Sequence, residues 1–145
     1  MDKRKYIEDI ELFLRFSDFI IRKKGRTILK DYDTTASQFR ALQTLISNGG
    51  CMSCKELSLK NNLSGSTITD LINRMEKNNL ITRERCTSDS RKIYLKVTEK
   101  GSNLLDEVVK TRCDFLEEVL QGMDESFLVS LKENLDMLLK KLKQI

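Results

Sequence analysis

Apolar positions recur with a helical period along most of this chain and switch to a period of two in one place. From residue 6 to about 29, Ile7, Ile10, Leu14, Ile21 and Leu29 recur at helical intervals, and Phe13, Phe16 and Ile20 widen the stripe. A stripe that wide predicts one long helix meeting more than one neighbour. Asp31-Tyr32-Asp33-Thr34 breaks it. Thr35, with Gln38 three residues on, forms a capping box for a second helix bearing Phe39, Leu42, Leu45 and Ile46. That helix ends at Asn48-Gly49-Gly50, where glycine can take the left-handed conformation. Ser53 and Glu56 open a short helix with Leu57 and Leu59, which stops at Asn61-Asn62. Ser64 is a good N-cap for the next helix, which sets Ile68, Leu71, Ile72 and Met75 on one face. Its other face shows Ser66, Thr67, Asp70, Asn73, Arg74 and Lys77.

Past Asn78-Asn79 the period becomes two. Ile81, Arg83 and Arg85 alternate with Thr82 and Glu84, and Ile93-Tyr94-Leu95-Lys96-Val97 alternates strictly. The polar run 86–91 between them predicts a β-hairpin of two short strands. Thr98 caps a further long helix with Leu104, Leu105, Val108, Val109, Phe115, Leu116, Val119 and Leu120. Gly122 breaks it and Asp124 caps the last helix. There Leu128, Leu131, Leu135, Leu138 and Leu142 alternate steps of three and four, a coiled-coil-like seam.

The middle of the chain thus runs helix, short helix, turn, amphipathic helix, hairpin. That order is a helix-turn-helix with a wing. The expected fold is mainly α: a winged helix-turn-helix at 34–100 with a two-stranded β-wing, flanked by helical regions at 1–33 and 101–145.

Composition narrows the function. A chain of 145 residues with 39% hydrophobic and 33% charged residues suits one helix-rich domain. It has no proline, so nothing interrupts long helices. It has no histidine, which removes the commonest general base and metal ligand. No nucleophile–base pair or phosphate loop is visible, so the expectation is not an enzyme and no cofactor. The first two thirds are basic, net +3 over 1–50 and +4 over 51–100, and the remainder is net −3. A polyanion partner fits that basic region. The start carries no secretory pattern, and the apolar stretch Phe13–Ile21 is cut by Arg15 and Asp18. The expectation is a cytoplasmic protein without membrane association.

The helix behind Ser64 has the chemistry of a DNA reader. It is apolar on one face only, and small polar side chains near its N-terminus can reach base edges in a major groove. The hairpin carries Arg83, Arg85, Arg91 and Lys92, and an arginine on a protruding loop suits a narrow minor groove.

Thr35-x-x-Gln38, the run Ser64-Gly65-Ser66-Thr67-Ile68-Thr69-Asp70-Leu71-Ile72-Asn73-Arg74 through Leu80-Ile81-Thr82-Arg83, Asp89-Ser90-Arg91-Lys92, and Leu95-Lys96-Val97-Thr98-Glu99-Lys100-Gly101 together resemble the MarR family of bacterial transcription factors. The resemblance implies a homodimer, with the first helix and the last two as the dimerisation region and one intertwined domain overall. It implies a repressor on a pseudo-palindromic operator, released by a small ligand or thiol modification. Carried over by position, Ser64, Gly65, Ser66, Thr67, Asp70 and Arg74 match groove-facing positions. Arg91 matches the minor-groove arginine, Asp89 the acid that orients it, and Lys92 its neighbour. Ser37 and Gln38 match phosphate-contacting positions. Ile7, Ile10, Leu14, Leu128, Leu131, Leu135, Leu138 and Leu142 fall in the dimer interface. A small aromatic or phenolic effector is implied, with no residue assigned to it. Two departures stand out: Asp70 replaces a frequent basic residue and could accept from cytosine N4, and Asn79 replaces a glycine but tolerates the left-handed conformation.

Cys51-x-x-Cys54 has the spacing of a redox pair or half a metal site. Cys54 follows the Ser53 cap, where a helix N-terminus lowers a thiol pKa. The simpler reading is four reduced thiols, Cys86 and Cys113 included, and no metal. Two rivals from other classes are a winged-helix protein–protein module without DNA binding and a small cysteine-based redox or metal protein.

Overall fold

The computed structural model describes residues 2–85 and 92–145. Cys86, Asp89 and Arg91, named above, lie outside the described residues. In chain order the elements are α1 (Lys3–Asp31), α2 (Ala36–Ser47), β1 (Cys51–Ser53), α3 (Cys54–Lys60), α4 (Gly65–Lys77), β2 (Ile81–Arg85), β3 (Ile93–Val97), α5 (Glu99–Val119) and α6 (Glu125–Leu142).

The predicted caps form the helix starts. Thr35 Oγ1 accepts from Gln38 N at 3.2 Å, Ser53 Oγ from Glu56 N at 3.1 Å, and Asp124 Oδ1 from Phe127 N at 2.9 Å. Ser64 is an N-cap by backbone conformation, but its hydroxyl meets Thr67 Oγ1 at 3.0 Å and caps no N–H. Asn79 sits at φ +60°, the left-handed conformation its side chain tolerates. Thr98 Oγ1 accepts from Gly101 N at 3.0 Å and donates to Asn79 O at 2.6 Å, which joins the start of α5 to the end of the α4 turn.

The sheet has three strands in the order β1-β3-β2, all antiparallel. The hairpin β2–β3 was expected and β1 was not. Three residues are too few for a periodic signal, and β1 forms because Met52 pairs opposite Leu95 and both are buried.

The chain divides into two compact units, Met1–Arg112 and Cys113–Ile145. In the first, Ala41, Leu42 and Leu45 of α2, Leu57 of α3, and Ile68, Leu71, Ile72 and Met75 of α4 close a core with Met52, Leu80, Ile81 and Leu95. Burying each large side chain there contributes about 1.5–3 kcal/mol. A smaller cluster joins Ile28 and Leu29 to Val108, with Tyr32, Phe39 and Leu104 at its edge. The rest of the α1 stripe is exposed, up to 63% at Phe13. In the second unit, α6 has no buried residue. Leu131 and Leu138 are half-buried, and Leu128, Leu135 and Leu142 are exposed. No described helix is long and apolar enough to cross a membrane.

Candidate nucleic-acid interface

The geometry of α4 follows from its sequence period. Ile68, Leu71, Ile72 and Met75 are buried, so the helix is held by one face. Ser64, Gly65, Ser66, Thr67, Asp70 and Arg74 are all exposed on the other side or at its start. Thr69 Oγ1 donates back to Gly65 O at 2.8 Å. The first turn contains no acid and the last turn contains Arg74 and Lys77. The N-terminal end therefore keeps its partial positive charge toward solvent.

Two further surfaces lie in the same unit. Lys92 is exposed at the start of the wing's second arm. At the start of α2, Ser37 is exposed but Gln38 is only 5% exposed. Its Oε1 accepts from Thr34 Oγ1 at 3.1 Å, so its side chain serves the helix entry and is not presented at the surface. Sequence reasoning missed three cations nearby. Lys23, Arg26 and Lys30 border a cleft of about 500 Å³ with Thr34, Thr35 and Ala36. None of the three has an ion-pair partner among the described residues. Their spacing of three and four puts them on one stripe of α1, a signal hidden by the wider apolar stripe beside it. Together with the α2 N-terminus they make a surface suited to phosphate.

The wing is tied to α4 by Arg83. Its Nε lies 3.1 Å from Glu76 Oε2, and its Nη2 donates to Asn73 Oδ1.

Among the cysteines, one expectation changes, the thiol pKa of Cys54. Cys51 and Cys113 are exposed and Cys54 is half-buried, all as free thiols. Burial against the core pushes the Cys54 thiol up, and the nearby Arg83 charge and a backbone hydrogen bond offset only part of this. The expected lowering at a helix N-terminus is therefore reversed, because desolvation of a thiolate outweighs one short helix end. The backbone from Cys51 through Ser53 is extended. At about 3.3 Å per residue it sets the Cys51 and Cys54 Cα atoms roughly 10 Å apart, beyond the ~7 Å a disulfide spans. A bridge between them would require the backbone to move.

Comparison with known proteins agrees with this geometry. A family model described as transcriptional regulator SarA/Rot matches residues 23–108. An uncharacterised HTH-type transcriptional regulator of Bacillus subtilis, YsmB, is 35% identical over 131 residues, covering 90% of this chain and 89% of that protein. The solved structure of a MarR family protein from Bacillus stearothermophilus is 31% identical and covers 99% of both chains with a TM-score of 0.89. At fold level only, 20% identical with a TM-score of 0.70, the chain resembles a mutant of Staphylococcus aureus MepR bound to an oligodeoxyribonucleotide, covering 92% of this chain and 97% of that one. The match over more than half of the chain, together with these relatives, places this protein in the MarR/SarA family of winged-helix, DNA-binding transcriptional regulators.

Proposed function

We propose that this regulator acts as a homodimeric repressor that reads a pseudo-palindromic operator. The observation that carries the reading is α4. Four apolar residues anchor it, and Ser64 to Thr67, Asp70 and Arg74 are left exposed where base edges would meet them. Asp89 and Arg91 would add a minor-groove contact, and Lys92 a phosphate contact. Ser37 and the cleft cations Lys23, Arg26 and Lys30 would hold the backbone of the flanking turn.

The dimer is supported by what the single chain leaves uncovered. Ile7, Ile10 and Leu14 on α1, and Leu128, Leu135 and Leu142 of the α6 seam, stand at the surface, while Leu131 and Leu138 are half-buried. An 18-residue helix with no buried residue is not held by helix propensity alone. A second copy would cover both helices, making 1–33 and 101–145 the dimerisation region around the winged helix at 34–100. Release by a small aromatic or phenolic ligand would follow from coupling between that region and the spacing of the two α4 helices.

The test is a salt series of binding to a labelled duplex from the chain's own upstream DNA, with an unrelated duplex of equal length as control and sedimentation velocity alongside. Competitor-resistant binding to the first duplex alone, a log affinity that falls linearly with log salt, and a dimer in sedimentation are expected. A monomer, or equal weak binding to both duplexes, refutes the proposal. Binding to neither duplex at low salt would favour a protein partner.

A further inference from the structure

Side chains at Ile81, Arg83 and Arg85 share one face of β2, opposite Val97, Leu95 and Ile93 of β3. Ile81 and Leu95 on that face are buried. The inner face of the sheet therefore still points at the protein where β2 supplies an arginine in place of an apolar residue. The guanidinium reaches the flank of α4, with Nε on Glu76 and Nη2 on Asn73. Those two residues are three apart on α4, neighbours on one face of the helix, so one planar fork bridges both. Beyond Ile81 every residue of β2 is exposed, and β2 is a sheet edge joined to β3 alone. On the β2 arm, then, apolar packing beyond Ile81 does not hold the strand to α4, although the β3 arm keeps Leu95 buried and Ile93 and Tyr94 half-buried. The Arg83 and Glu76 side chains are 32% and 46% exposed, and a pair that open adds little to stability. Its value is geometric.

We infer that Arg83 is a positioning residue for DNA binding, clasping the wing to the recognition helix at the angle that lets both enter adjacent grooves. The inference rests on the proposed placement of the wing in the minor groove. Arg83 is distinct from the groove-facing and wing-tip positions, and it acts through Glu76 and Asn73 rather than through a phosphate.

Hydroxyl-radical footprinting on a bound specific duplex, with affinity and thermal melting measured in parallel, tests the clasp. Arg83→Lys keeps the charge and loses the fork. It should weaken binding by about tenfold, the scale of losing one arginine contact to a groove. It should also erase the outer, minor-groove protections, leave the central protections, and melt close to the wild type. Glu76→Gln breaks the same clasp from the helix side. Simple charge reasoning says that removing an acid beside DNA tightens binding. The clasp says that the outer protections fade. An unchanged footprint in either variant overturns the inference, as does full affinity in Arg83→Lys, which would make Arg83 a phosphate contact. Loss of all protections together with a lowered melting temperature would make it a stability residue and also overturns it. A wild-type footprint without outer protections refutes the wing placement itself, and the inference with it.

Discussion

Replacing Gly101 with alanine should destabilise the protein, although helix propensity argues the other way. Gly101 lies in the first turn of α5, and glycine-to-alanine in a helix gains about 1 kcal/mol in isolation. Here a Cβ at this position would lie 2.3 Å from Leu80 O, 3.1 Å from Val97 Cγ1 and 3.2 Å from Leu42 Cδ2. The nearest atom is backbone and is itself fixed. Leu80 N donates to Met75 O at 2.9 Å, and Leu80 O accepts from Thr98 N at 3.1 Å. The start of α5 must retreat by about 0.7 Å or more, against the Thr98 hydroxyl that ties it to Asn79. Overpacking of this kind costs about 1–3 kcal/mol, and one weakened hydrogen bond adds about 1. After the propensity gain, the net loss is about 2 kcal/mol, or about 4–8 °C in melting temperature for a chain of this size. Thermal and urea unfolding followed by far-UV circular dichroism measures it, at matched protein concentration because association shifts the midpoint. Gly65→Ala is the control, since a Cβ there meets nothing within 4 Å. A Gly101→Ala protein as stable as the wild type would refute the close-approach reasoning.

Two further outcomes follow from side-chain environments. The Phe127 N–H, and then the Ser126 hydroxyl, hold the Asp124 carboxyl below its usual range. A depressed folded-state pKa contributes stability above the unfolded carboxylate range and loses it as pH falls through the folded value. The melting difference between wild type and Asp124→Ala should therefore be full at neutral pH and close in strong acid, and a gap independent of pH would remove the carboxylate from the account. For the thiols, timed alkylation read by peptide mass spectrometry should modify Cys51 and Cys113 before Cys54, which is part-buried with a raised pKa. Cys54 reacting first would show that burial does not control it.

Features that depend on near neighbours along the chain are legible in the sequence. The caps at Thr35, Ser53 and Asp124, the four apolar positions of α4, the left-handed Asn79 and the β2–β3 alternation are all local, because each rests on residues within one or two turns of each other. The exposed face of α4 is legible for the same reason: once four residues point inward, the helix period places the others outward. Contacts that cross the fold are not legible. The strand β1 exists because Met52 finds Leu95 more than forty residues away. Gln38 reads as a surface position until Thr34 and the α2 entry bury it. Cys54 looks activated by its helix until the core desolvates it, and Arg83 looks like surface charge until Glu76 and Asn73 take up its fork. Folding in three dimensions settles these four, since burial and pairing are set by atoms brought together through space, and their desolvation and hydrogen-bond energies outweigh the local preference of one residue.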